Sequence, residues 1–91
     1  MNAMTRPITR IEDNYVETEI DEETVLMRLS DGDFFSLDGT GRAIWQAIDG
    51  TRDRDGIVAL LAERFEAPLA TLVADVDRFL ADLAGAGLVS P

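Results

Sequence analysis

Any chemistry in this sequence has to come from carboxylates. Its 91 residues include 18 Asp and Glu, 8 Arg, one Tyr and one Trp, with no Cys, no His and no Lys. A thiol nucleophile, an imidazole base, a Ser-His triad and a zinc finger are all excluded by that set. Two groupings of acids stand out: Asp75 with Asp77, and the trio Asp31, Asp33 and Asp38. Carboxylates so close in sequence can exchange protons or hold a hard cation. The step Asp31-Gly32-Asp33 resembles the opening of a calcium loop, but position 42, where the closing Glu belongs, is Arg. A domain this small also has little room for a catalytic pocket. No metal, no cofactor and no catalysis are expected, and the composition favours a binding module.

The elements that carry these residues follow from periodicity. Tyr15 to Ile20 alternates Tyr15, Glu17 and Glu19 on one face with Val16, Thr18 and Ile20 on the other, which predicts a half-buried strand. Thr24 to Ser30 is a second apolar run. The Asp-Gly step inside Ser30-Asp31-Gly32-Asp33 predicts a hairpin into a short third strand, Phe34 to Leu37. From Gly39 the period becomes helical. A short helix carries Ala43, Ile44, Trp45, Ala47 and Ile48 and ends at Asp49-Gly50. A second runs from Arg54 to about Phe65 with Asp53 as N-cap, and a third from Pro68 to about Ala84. Leu69, Leu72, Val73, Val76, Phe79, Leu80 and Leu83 make the clearest stripe in the chain. Leu88-Val89 is expected to fold back onto the core. The expected class is α+β and winged-helix-like: a three-stranded antiparallel sheet followed by three helices. Residues 14–90 form the expected domain and residues 1–13 a flexible N-terminus. Residues 1–3 read as a cloning scar ahead of a native Met4.

Charge narrows the partners. Net charge is −10, and residues 11–38 hold 10 of the 18 acids against the single Arg28. Such a surface repels phosphate backbones and anionic lipid, so neither nucleic acid nor a membrane surface is expected as a partner. The third helix has Arg78 against Asp75, Asp77 and Asp82, the reverse of a DNA-reading helix. No signal peptide or membrane span is visible, and a cytoplasmic location is expected. Strand addition fits better. An edge strand offers unpaired N–H and C=O groups that an extended peptide can satisfy. The third strand leads directly into the helices, so the third helix can wall a groove beside it. Phe34 and Phe35 must point to opposite faces, and either both are core or one is available to a ligand. Asp31, Asp33 and Asp38 can keep edges from pairing with one another, or attract a basic peptide.

The run Asp33 to Trp45, DFFSLDGTGRAIW, resembles the PqqD-like family: an aromatic pair, then Leu-Asn/Asp-x-Thr-Gly-x-x-Ile-Trp. Asp49-Gly50, Arg64-Phe65, the spacing of Asp75-Val76, Phe79-Leu80 and Leu83, and the closing Gly87-Leu88-Val89 fit it too, so the resemblance covers roughly residues 14 to 90. Asp38 stands where Asn is frequent, and Gly56 where an acid is frequent at a helix start. These proteins are RiPP recognition elements, small peptide chaperones of pyrroloquinoline quinone, lasso-peptide and related pathways. The resemblance implies a domain that binds the leader segment of a ribosomally made precursor, antiparallel to the third strand and against the third helix. It implies delivery to a partner modifying enzyme or leader peptidase, with lasso biosynthesis preferred. Carried onto this chain, the peptide-binding residues are Asp33, Phe34, Phe35, Ser36 and Leu37 on the strand and Val73, Val76, Asp77 and Leu80 on the helix. Val76 and Leu80 read equally well as core, and Thr40, Gly41 and Trp45 read as structural. The alternative is a non-catalytic protein–protein adaptor, or a self-associating domain without a leader of its own. A monomer or weak dimer is expected.

Overall fold

The computed structural model describes residues 6–90. Strands β1 (Thr9–Arg10), β2 (Tyr15–Ile20), β3 (Glu23–Arg28) and β4 (Phe34–Leu37) precede helices α1 (Gly39–Ala47), α2 (Arg54–Arg64) and α3 (Leu69–Gly85), and β5 (Val89–Ser90) closes the order. The three strands expected from sequence are β2, β3 and β4. They form one antiparallel sheet in the order β2-β3-β4. Asp21-Glu22 makes the tight first hairpin, with Asp21 in the left-handed region at φ 55°. The second hairpin is locked by charge. Arg28 holds the Asp31 carboxylate through Nε–Oδ1 at 3.0 Å and Nη2–Oδ2 at 2.6 Å, and reaches Asp33 at 3.2 Å. The Arg28 guanidinium draws the Asp31 carboxyl down to about 2.

The helices cover one face of this sheet. Leu26, Ile44, Trp45, Ile48, Ile57, Leu61, Val76 and Leu88 are fully buried between the layers, each contributing about 1.5–3 kcal/mol of transfer free energy. Asp53 caps α2 by accepting from the Gly56 N–H at 2.8 Å. Helix α3 ends in a Schellman motif: Leu88 N–H donates to the Leu83 carbonyl at 2.9 Å and Gly87 N–H to that of Ala84 at 3.1 Å. Gly87 takes the left-handed φ of 76° that this ending requires. Leu88 is thereby returned to the core beside Leu83, and the fold-back of Leu88-Val89 expected from sequence is present.

Two features depart from the sequence reading. The flexible N-terminus does not extend to residue 13. Ile8 is buried, its N–H donates to the Arg52 carbonyl at 2.9 Å, and β1 pairs antiparallel with β5, Thr9 opposite Ser90 and Arg10 opposite Val89. Two-residue strands leave no periodic signal, and these two are 80 residues apart in sequence. Residues 1–3, read as a scar, lie outside the described residues. The second departure concerns β2, whose inward side carries Tyr15, Glu17 and Glu19, while Val16 and Ile20 are exposed. Trp45, Arg10 and Arg42 explain the inversion. Trp45 Nε1–H donates to Glu17 at 3.1 Å, and the Arg10 guanidinium stacks 4.3 Å from the Trp45 ring centroid and donates to its carbonyl at 2.6 Å. Arg42 on α1 donates to Glu19 at 2.6 Å and to the buried Thr24 hydroxyl at 3.2 Å. The acids thus face a cationic and aromatic layer instead of an oily one.

Candidate functional site

Strand β4 is an edge, and its register states which of its groups are free. In an antiparallel pair, residues alternate between exchanging both main-chain hydrogen bonds and turning both groups away. Arg28 N–H donates to the Asp33 carbonyl at 2.8 Å, which makes Arg28/Asp33 a bonded pair. The continuing register Met27↔Phe34, Leu26↔Phe35, Val25↔Ser36 and Thr24↔Leu37 then commits Phe35 and Leu37 to β3. Phe34 and Ser36 turn their N–H and C=O groups to the open edge. Their side chains point to the uncovered side of the sheet, where Phe34 is 70% exposed. Phe35 and Leu37 point to the helices, Leu37 buried and Phe35 half-buried under the Arg28 guanidinium, 5.3 Å from its ring centroid. The Asp33 N–H, on the β3 side, is taken by the Asp31 carboxylate at 3.1 Å, and the first β4 residue to face the open edge is Phe34.

One flank of α3 lies against the start of α1, the helix that follows β4 in the chain. Asp75, Arg78, Phe79 and Asp82 line a small cavity of about 180 Å³ together with Thr40, Gly41 and Ile44 at the start of α1. The Phe79 ring comes so close to Gly41 that a Cβ there would stand 3.3 Å from Cε1. At the other end, Arg28 Nη1 donates to the Ala86 carbonyl at 3.3 Å and ties the end of β3 to the end of α3.

The helix residues expected from sequence, Val73, Val76, Asp77 and Leu80, differ in what they present. Val76 is fully buried and offers no surface to a ligand. Asp77 faces α2, where Arg54 Nε and Nη2 donate to its two oxygens at 2.7 and 2.8 Å and hold its carboxyl below the ordinary range. Val73 and Leu80 lie on that same flank, half-buried against the core. Asp75, Phe79 and Asp82, at i, i+4 and i+7, form a second stripe visible in the sequence. The pattern does not say which stripe meets which neighbour: α1 lies on the Phe79 stripe and α2 reaches Asp77. Among the described residues no group of three or more Asp and Glu is placed to hold a metal ion.

A family model for coenzyme PQQ synthesis protein D (PqqD) matches residues 23–89, which include the whole of β3, β4 and all three helices. The chain belongs to the PqqD family. It is 42% identical over 48 residues to the PqqA binding protein of Rhizobium meliloti (strain 1021), a match spanning 53% of this chain and 49% of that protein. Among solved structures, TbiB1 in complex with the TbiA(beta) leader peptide superposes with a TM-score of 0.79 at 30% identity, covering 90% of this chain and 95% of the other. Lasso peptide synthetase B1 complexed with its leader peptide shares the fold, with a TM-score of 0.80 at 16% identity over 93% and 99% of the two chains.

Proposed function

We propose that this PqqD-family chain binds the leader segment of a ribosomally made precursor peptide at the open edge of β4 and delivers it to a modifying or leader-cleaving enzyme. The observation that carries the reading is the pair of residues Phe34 and Ser36, whose main-chain donors and acceptors face an open edge, on a strand that leads into α1, the helix against the Phe79 flank of α3. An antiparallel peptide satisfies those groups and sets alternate side chains against Phe35 and Phe79. Main-chain bonds give affinity, and the acids Asp75 and Asp82 on the wall select among leaders by charge. Relatives named for binding PqqA or a leader peptide support a peptide as the ligand. The chain's own part is capture and presentation, not catalysis. We place it in the cytoplasm with the ribosomal precursor; no helix among the described residues is long and apolar enough to cross a membrane.

An amide chemical-shift titration with peptides from short reading frames beside the gene tests this. Saturable shifts concentrated at Phe34–Leu37 and at Asp75, Phe79 and Asp82 are expected. A folded sample that shows none with any of these peptides turns the reading to the adaptor.

A further inference from the structure

Only one face of the sheet is covered by helices. By alternation, Val16 and Ile20 of β2, Val25 and Met27 of β3, and Phe34 of β4 share the other face. Val16 is 48%, Ile20 54% and Phe34 70% exposed. The register aligns Val16, Met27 and Phe34 in one row across all three strands. Exposed Leu29 follows immediately beyond β3 at the same end of the sheet. Glu23 is the one ionisable strand residue on this face, and it accepts a hydrogen bond from the Ser36 hydroxyl at 2.6 Å. In a chain of net charge −10, the face is apolar and nearly uncharged.

We infer that this face, centred on the row Val16–Met27–Phe34, docks the enzyme that modifies or cleaves the precursor downstream of its leader. The inference rests on the leader reading above. A peptide antiparallel to β4 runs from the Leu37 end to the Phe34 end, so the segment beyond the leader departs beside this row. An enzyme acting on that segment has to be held at this end of the sheet. Phe34 joins the two surfaces: its main chain belongs to the peptide edge and its side chain to the row. Charge selects against a second copy as the occupant, because two chains of net charge −10 repel at long range. An enzyme surface with an apolar centre and a basic rim is attracted instead and can bury aromatic anchors on the row.

The test uses the full chain with the precursor and the processing enzyme encoded beside its gene. Leader affinity is read by anisotropy of a labelled leader peptide, and recruitment by the rate of precursor conversion. Val16→Arg, with Met27→Gln as a milder second variant, should lower conversion about tenfold while the folded variants bind the leader within about twofold of the parent. Ile20→Arg, at the opposite end of the face, should leave both readouts near parental. Folded row variants that convert the precursor at the parental rate overturn the inference. So does sedimentation showing a parental dimer that Val16→Arg dissolves with conversion unchanged, which gives the face to a second copy. A parent that binds no leader overturns the leader reading and this one with it. Anisotropy alone registers that outcome, so the two failures are distinguishable.

Discussion

Gly41 on α1 lies against the ring of Phe79 on α3: a Cβ would stand 3.3 Å from Cε1, a tight contact that the ring has to yield to by a few tenths of an ångström. This contact sets how closely α1 and α3 approach at Phe79. Gly41→Val places a branched side chain against the ring. We expect a loss of about 1–3 kcal/mol, larger than the helix-propensity difference, read as a lower midpoint in chemical denaturation.

Proline distinguishes the two kinds of position on β4. Ser36→Pro deletes an N–H that faces the open edge and so leaves the β3–β4 ladder intact. We expect a folded domain whose leader affinity falls about tenfold. Phe35→Pro deletes an N–H committed to β3 and should unfold the sheet. Equal leader affinity for folded Ser36→Pro and parent would remove strand addition from the account.

The two flanks of α3 should separate in the same assay. Asp77→Ala breaks the exposed pair with Arg54, which is worth at most about 1 kcal/mol, and should leave leader binding untouched. Phe79→Ala removes the apolar wall and should weaken binding while also lowering stability. Equal loss of leader binding in both would return the site to the Asp77 flank.

Asp31 gives a signed pH effect. Arg28 draws its carboxyl below the ordinary 3.8 to about 2, so the folded state holds the ionised form more tightly than the unfolded chain does. The resulting stability is present above pH 3.8 and is lost as pH falls through about 2. Asp31→Asn lacks it. Thermal midpoints of the two proteins should differ at neutral pH and converge at the acid end, a pattern that a pH series of melting curves checks directly.

Arg10 ties the N-terminal segment to the core. It stacks on Trp45 at 4.3 Å and donates to the Trp45 carbonyl at 2.6 Å. Arg10→Ala should cost about 2 kcal/mol and alter Trp45 fluorescence in the native state. Unchanged denaturation would show that β1 adds nothing to the fold.

Local periodicity carried most of this architecture. The alternation from Tyr15 to Ile20 and the stripe from Leu69 to Leu83 each correspond to one element, because each keeps one period throughout. Pairing partners far apart in sequence were not legible. Nothing near Thr9 announces Ser90, and nothing near Asp77 announces Arg54, since those contacts depend on helix order and crossing. The same limit governed the site. β4 stood out because an edge strand leads directly into a helix at Asp38, whereas the choice between the Asp75 and Asp77 flanks awaited the position of α1. Polarity misled at β2, where the acids turn inward to meet Trp45, Arg10 and Arg42.

The β1–β5 pairing brings the entry and exit of the fold to a single point. Thr9 and Arg10 lie opposite Ser90 and Val89, a separation of about 5 Å between Cα atoms. The open edge of β4 and the uncovered sheet face include none of these four residues. The domain therefore has the geometry of a cassette: spliced into a surface loop of a host protein, it spans a gap no wider than one strand spacing. Joined ends and a new opening at the exposed Gly50-Thr51 step would reorder the chain without touching β4.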